Sequence, residues 1–82
     1  MSEVVMYSAE WCSDCRRSKA LLGSLGVEYE LKDVEHSVEF TEEARAISGR
    51  TNIPVVQFAD GTFLVEPSDA ALKAELEKRN LI

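Results

Sequence analysis

Positive charge is scarce in this sequence of 82 residues. Nine lysine and arginine residues stand against fifteen aspartate and glutamate residues, which gives a formal net charge of −6. Proteins that bind nucleic acids or anionic membrane surfaces need a basic surface that neutralises phosphate groups. We therefore expect neither a nucleic-acid partner nor a membrane partner.

Long apolar runs are also missing. No segment approaches the roughly 20 apolar residues that a membrane-spanning helix needs. The first residues, MSEVVMYSAEW, show no basic segment followed by an apolar one, so they do not have the pattern of a secretion signal. We expect a cytoplasmic monomer in which residues 1–82 form a single domain.

Potential metal ligands are few, because the chain has two cysteines, Cys12 and Cys15, and one histidine, His36. A structural zinc site needs four ligands, so a metal held by this pair would have to be shared between two chains. A structural disulfide across so short a loop would remove little chain entropy. Two inert core cysteines are the remaining alternative to redox chemistry, which the spacing favours in a cytosolic protein.

The residue pattern predicts the element order β-α-β-α-β-β-α. Asp60 and Gly61 form a strong hairpin signal, and Pro54 has no N–H and so belongs at the beginning of a strand. The order predicts an α/β fold with a four-stranded mixed sheet and three helices. The strands are predicted at 3–7, 27–34, 51–58 and 62–66; the helices run from Ser13 to Leu25, from the cap Ser37 to Gly49, and from the cap Ser68 to about Arg79.

The cysteine pair lies directly after a strand and at the start of a helix. Unpaired N–H groups and the helix dipole at that position stabilise the thiolate form of Cys12, whereas Asp14 opposes it. Cys15 lies one turn further along and should be less exposed and less acidic. Cys12 is therefore the expected nucleophile for disulfides and Cys15 the expected resolving thiol. Trp11 is expected to be a partly exposed platform beside them.

Three stretches, YSAEWCSDC, TNIPVV and FADGTFLVEPSDAALKAEL, resemble the glutaredoxin branch of the thioredoxin superfamily. The resemblance is greatest to its mycoredoxin and NrdH-redoxin group and covers nearly the whole chain. It implies a thioredoxin fold in which Cys12 is the nucleophile and Cys15 the resolving cysteine. It also implies that Pro54 is a cis-proline preceded by Ile53, that the loop from Thr51 to Pro54 lies against the reactive cysteine, and that the backbone of Ile53 pairs with the substrate.

The resemblance further implies positions for binding a small thiol. Ser68 and Asp69 match the helix start that holds the γ-glutamyl end of glutathione in glutaredoxins, although a simple helix cap is the alternative. Arg50 and Arg45 are candidate anchors for a substrate carboxylate, and solvated surface charges are the alternative for both.

Three departures from the glutaredoxin pattern point away from glutathione. Ser8-Ala9-Glu10 lacks a lysine before the first cysteine, Ser13-Asp14 separates the cysteines, and Val65-Glu66-Pro67 replaces paired glycines. The departures favour mycothiol or bacillithiol as the small thiol, or direct reduction by a thioredoxin reductase.

We therefore expect a thiol–disulfide oxidoreductase that reduces protein disulfides or mixed disulfides between proteins and small thiols. It would need no metal and no organic cofactor. The alternative is an iron–sulfur or zinc carrier in which Cys12 bridges two chains.

Overall fold

Seven elements follow one another in the predicted order β-α-β-α-β-β-α in the computed structural model, which describes residues 3–82. None of the helices within those residues is long and apolar enough to cross a membrane. The strands are β1 (Val4–Ser8), β2 (Glu30–Asp33), β3 (Val55–Phe58) and β4 (Phe63–Val65); the helices are α1 (Ser13–Ser24), α2 (Val38–Ser48) and α3 (Asp69–Lys78).

The strands form one mixed sheet in the order β2-β1-β3-β4. Strand β1 is parallel to β2 and antiparallel to β3, and β3 is antiparallel to β4. The predicted four-stranded mixed sheet with three helices is thereby confirmed. The central position of β1 matters for the site, because the chain leaves its carboxyl end and reaches Cys12 within a few residues.

Side chains alternate across the two faces of the sheet, as the period of a strand requires. On one face, Val4 and Met6 of β1 belong to the same apolar cluster as Leu22 of α1 and Leu72 of α3. On the other face, Tyr7 and the β3 residue Val55 cluster with side chains of α2. Helices α1 and α3 therefore cover one face of the sheet and α2 covers the other. The sheet thus supports α1 through the face that this helix packs against.

Two strands are shorter than the sequence pattern predicts. Strand β2 begins at Glu30 because its pairing with β1 starts at Val5 opposite Glu30, and residues 27–29 lie in the preceding loop. Leu31 of β2 is 48% exposed at the sheet edge. Strand β3 begins at Val55, directly after Pro54, rather than at residue 51.

The predicted helix caps are confirmed. Ser37 accepts a hydrogen bond from the N–H of Phe40, and Ser68 accepts one from the N–H of Ala71. Gly49 ends α2 in the left-handed region at φ 71°. Such caps satisfy backbone groups that the helix itself leaves unpaired, which fixes where each helix begins and ends.

Candidate active site

Cys12 occupies the N-cap position of α1. Its backbone is extended (φ −84°, ψ 114°), and its Sγ atom accepts a hydrogen bond from the N–H of Cys15 at 3.2 Å. The N–H of Cys12 itself donates to the carbonyl of Ala9 at 3.2 Å, which closes the turn between β1 and α1. A cysteine sulfur thus takes the position that serine or aspartate usually fills at a helix start. The positive end of the helix dipole points at this sulfur.

Cys15 lies one helical turn further along, beneath Cys12. It is fully buried, whereas Cys12 is 8% exposed, and both are free thiols. Burial, followed by the hydrogen bond with Cys12, raises the pKa of Cys15 to about 12; a backbone hydrogen bond from Ala9 and the charge of Lys19 act in the opposite direction. The prediction that Cys15 is the less exposed of the pair is confirmed.

The loop before β3 lies against Cys12. The thiol of Cys12 points at the backbone carbonyl of Ile53, with Sγ and oxygen 3.8 Å apart. The peptide bond between Ile53 and Pro54 is cis, as the resemblance implied, and Pro54 is fully buried. The backbone of Ile53 is therefore fixed next to the sulfur.

Two neighbouring grooves open beside the cysteine, and Trp11 lies between them with 69% of its surface exposed. We name them the Cys12 groove and the arginine groove. Four residues line both of them, namely Trp11, Thr51, Asn52 and Ile53. Cys12, Ser13, Asp14 and Glu66 line only the Cys12 groove. The arginine groove is also lined by the apolar residues Ala9, Val34 and Ala44, and its charged residues are Arg45, Arg50 and Glu35.

Ser68 and Asp69 line neither groove. The Ser68 hydroxyl caps α3, and the Asp69 carboxylate lies 3.4 Å from Nε of Arg17. The same guanidinium donates to the carbonyl of Pro67 at 3.3 Å and pairs with Asp14 at 3.3 Å. Arg17 therefore connects α1 to the start of α3 and forms an ion pair with the carboxylate of Asp69.

The sequence prediction missed two residues of the Cys12 groove, Asn52 and Glu66. The side-chain amide of Asn52 donates to Oε1 of Glu66 at 2.6 Å, and this bond joins the loop before β3 to the turn after β4. Glu66 has a left-handed backbone (φ 49°). Residues with a left-handed backbone are usually glycine. The replacement of a glycine pair by Val65-Glu66-Pro67 was therefore a feature of the sequence that could have drawn attention to Glu66. Nothing in the sequence singled out Asn52.

One group of possible metal ligands in the described residues does not include the cysteines. Asp33, Glu35 and His36 have ligand atoms within 4.8 Å of one another near the end of β2. His36 Nδ1 and an Asp33 carboxylate oxygen are 2.7 Å apart, and this hydrogen bond raises the pKa of His36 and lowers that of Asp33. The cysteine pair itself provides two sulfur ligands.

The architecture is a thioredoxin fold, which it shares with a solved structure of glutaredoxin (grx-1) from Archaeoglobus fulgidus. The two superimpose with a TM-score of 0.79 at 29% identity, over 90% of this chain and 85% of that one. The glutaredoxin family model matches residues 4–64. The chain belongs to the glutaredoxin family.

Two relatives extend this result. Mycoredoxin 1 from Corynebacterium glutamicum is 36% identical over 78 residues, which cover 94% of this chain and 96% of the relative. Glutaredoxin 3 from Escherichia coli is 38% identical over 56 residues, which cover 68% of each chain. Membership of this family supports a thiol–disulfide oxidoreductase.

Proposed function

We propose that this chain reduces protein disulfides, or mixed disulfides between proteins and small thiols, with Cys12 as the nucleophile and Cys15 as the resolving thiol. One observation carries the proposal. The Cys12 sulfur lines an open groove at the start of α1 and accepts a hydrogen bond from Cys15 N–H, while the Cys15 thiol is fully buried behind it. Thiol–disulfide exchange needs an accessible thiolate and a second thiol within reach of it.

The proposed reaction has two exchange steps. The Cys12 thiolate attacks one sulfur of the substrate disulfide, an S–S bond forms between them, and the other substrate sulfur leaves as a thiolate that takes up a proton. Cys15 then loses its proton and attacks the Cys12 sulfur, which forms the Cys12–Cys15 disulfide and releases the second substrate thiol. The substrate gains two electrons and two protons, and the chain loses them. Two molecules of small thiol, or a reductase, return the chain to the dithiol form.

The groove residues have proposed roles in holding the substrate. The backbone of Ile53, fixed beside Cys12 by Pro54, is suited to pair with the backbone next to the attacked sulfur. Trp11 and Thr51 offer a contact surface shared by both grooves. Arg50, with Arg45, offers positive charge to a substrate carboxylate in the arginine groove.

The start of α3 fits glutathione less well than the rest of the site. Its residue Asp69 is paired with Arg17, and Ser68 caps the helix. This arrangement favours mycothiol, bacillithiol or a thioredoxin reductase as the reductant, and it makes Ser68 and Asp69 weaker candidates for thiol binding than Arg50. No metal or organic cofactor takes part in the proposed steps, because both reacting sulfurs belong to the chain. A reducing compartment such as the cytoplasm suits a dithiol catalyst.

A coupled reductase assay tests the proposal. The chain is given a small mixed-disulfide substrate together with glutathione, mycothiol, bacillithiol or a thioredoxin reductase in parallel reactions. Turnover with a small thiol supports the thiol-coupled form of the proposal, and turnover only with the reductase supports a dithiol shuttle. Absence of turnover with all four, by a protein whose Cys12 does not react with an alkylating agent, would refute the reductase function.

A further inference from the structure

Glu66 places a carboxylate on the wall of the Cys12 groove, across from the cysteine-bearing helix. Two hydrogen bonds hold Glu66 in position. Its backbone N–H donates to the carbonyl of Pro54 at 2.9 Å, and its side chain accepts the bond from Asn52 at 2.6 Å. Both partners belong to the loop that lies against Cys12. The carboxylate therefore lies beside the path that a substrate must follow to reach the sulfur.

The charge of Glu66 is not neutralised within the described chain. No lysine, arginine or histidine among residues 3–82 forms an ion pair with it, whereas Asp14, the other carboxylate of the groove, is paired with Arg17. The charged residues that line the Cys12 groove are the acidic Asp14 and Glu66, whereas the arginine groove is lined by Arg45, Arg50 and Glu35, and Arg45 is paired with Glu42 at 3.4 Å. Among the described residues, the Cys12 groove is thus lined by acidic groups without a cation, and the arginine groove by groups of both signs.

We propose that Glu66 is a specificity-determining residue that selects disulfides whose cysteine is flanked by basic residues. The inference rests on the proposed reductase function and adds a substrate class to it: mixed disulfides on basic segments of proteins. A lysine or arginine next to the attacked sulfur lies close to the Glu66 carboxylate in the Cys12 groove, and an acidic residue in the same place is repelled by that carboxylate. Charged groups at an interface act mainly on the rate of productive encounter and on the choice of partner.

The test uses two peptides that differ only in charge. Each has one cysteine in a disulfide with 2-mercaptoethanol, which is uncharged, and the cysteine is flanked by lysines in one peptide and by glutamates in the other. The reduced protein converts each into free peptide thiol and mercaptoethanol and forms its own Cys12–Cys15 disulfide. Single-turnover rate constants are read from the release of peptide thiol. Measurements at about 0.01 M and about 1 M salt compare weak with strong screening, with Debye lengths of about 30 and 3 Å.

The variants separate the local effect of Glu66 from that of net charge. Glu66→Gln keeps an oxygen that can accept the bond from Asn52 and removes one negative charge. Glu28→Gln removes the same charge from an exposed residue in the loop before β2, at the opposite end of β1 from Cys12. Glu66→Lys inverts the charge at the groove. Circular dichroism and thermal unfolding verify that each variant is folded.

We expect the wild-type protein to react about fivefold faster with the lysine peptide than with the glutamate peptide at low salt. The ratio should fall by at least about half in Glu66→Gln, remain in Glu28→Gln, reverse in Glu66→Lys and shrink at high salt. Equal rates for the two peptides, or equal loss of preference in Glu66→Gln and Glu28→Gln, would overturn the inference while leaving the reductase function intact. No reaction with either peptide would overturn the reductase function and the inference with it.

Discussion

The backbone N–H of Cys15 donates a hydrogen bond to the Sγ atom of Cys12 across 3.2 Å, so the proposed nucleophile is also the cap of helix α1. The two roles can be separated, because serine is a good N-cap but a poor nucleophile towards disulfides. We expect Cys12→Ser to remain folded, with an unfolding free energy within about 1 kcal/mol of the wild-type value, and to lose reductase activity down to background. Urea unfolding and the coupled assay measure the two properties. Retained activity in this variant would contradict the proposed mechanism.

Cys15 acts only in the second exchange step of the proposed mechanism. In Cys15→Ser, Cys12 still attacks a mixed disulfide, and a small thiol can release the product in place of Cys15. We expect this variant to keep activity on small mixed disulfides when a small thiol is supplied, but to remain trapped on a protein substrate that has an intramolecular disulfide. Mass spectrometry of the trapped complex measures this. Equal loss of both activities would instead indicate an obligatory dithiol route.

Stability at alkaline pH is expected to depend on Cys15. Burial raises the pKa of this thiol from 9.0 to about 12 in the folded chain. Above about pH 9 the unfolded chain releases the proton while the folded chain keeps it, so the free energy of unfolding falls as the pH rises towards the folded value. Between about pH 8 and about pH 10.5, we expect reduced wild-type protein to lose on the order of 2 kcal/mol more than Cys15→Ser. Urea unfolding with both proteins kept reduced provides the comparison, and parallel pH curves would contradict it.

The elements that the sequence predicted correctly depend on local rules. Ser37 and Ser68 cap helices through bonds to an N–H three residues away, and the cysteine pair lies at a strand-to-helix junction that short-range patterns already marked. Strand lengths were predicted less well. The pairing of β2 with β1 begins at Glu30, and no property of residues 27–29 alone indicates where the neighbouring strand begins.

The charges around the site could not be predicted, because they depend on contacts between distant segments. Arg17 and Asp69 are separated by most of the chain, and so the sequence did not indicate the ion pair between them. The bond between Asn52 and Glu66 likewise joins two loops whose proximity results from the β3–β4 hairpin. A short sequence motif identifies the reacting residues. The charge in a groove depends instead on which distant segments of the chain pack together to form its walls.

The arginine groove should matter for substrates that carry a carboxylate. Arg45 and Arg50 both line it, on the side of Trp11 away from Glu66. We expect the double variant Arg45→Gln with Arg50→Gln to raise KM for glutathione mixed disulfides by about threefold to tenfold, with little change in kcat, because the attraction that is removed acts equally in the ground state and in the transition state. Esterified glutathione should show a smaller change. The double variant Arg16→Gln with Lys73→Gln, which removes two exposed cations that line neither groove, is the matched control, and an equal rise in KM in this variant would assign the effect to net charge.

Two roles are possible for Ser68, a cap of helix α3 and a contact with a bound thiol, and a substitution distinguishes them. Its hydroxyl accepts a hydrogen bond from the N–H of Ala71 at 3.1 Å, and it lines neither groove. We therefore expect Ser68→Ala to lower the free energy of unfolding by about 1 kcal/mol and to leave kcat/KM with each small thiol within about twofold of the wild-type value. Ser68→Asp should restore the stability, since aspartate also caps helices and its charge suits the helix start. A rise in KM for glutathione at unchanged stability would instead mean that the start of α3 holds the γ-glutamyl group, and the preference for another thiol or a reductase would then be wrong.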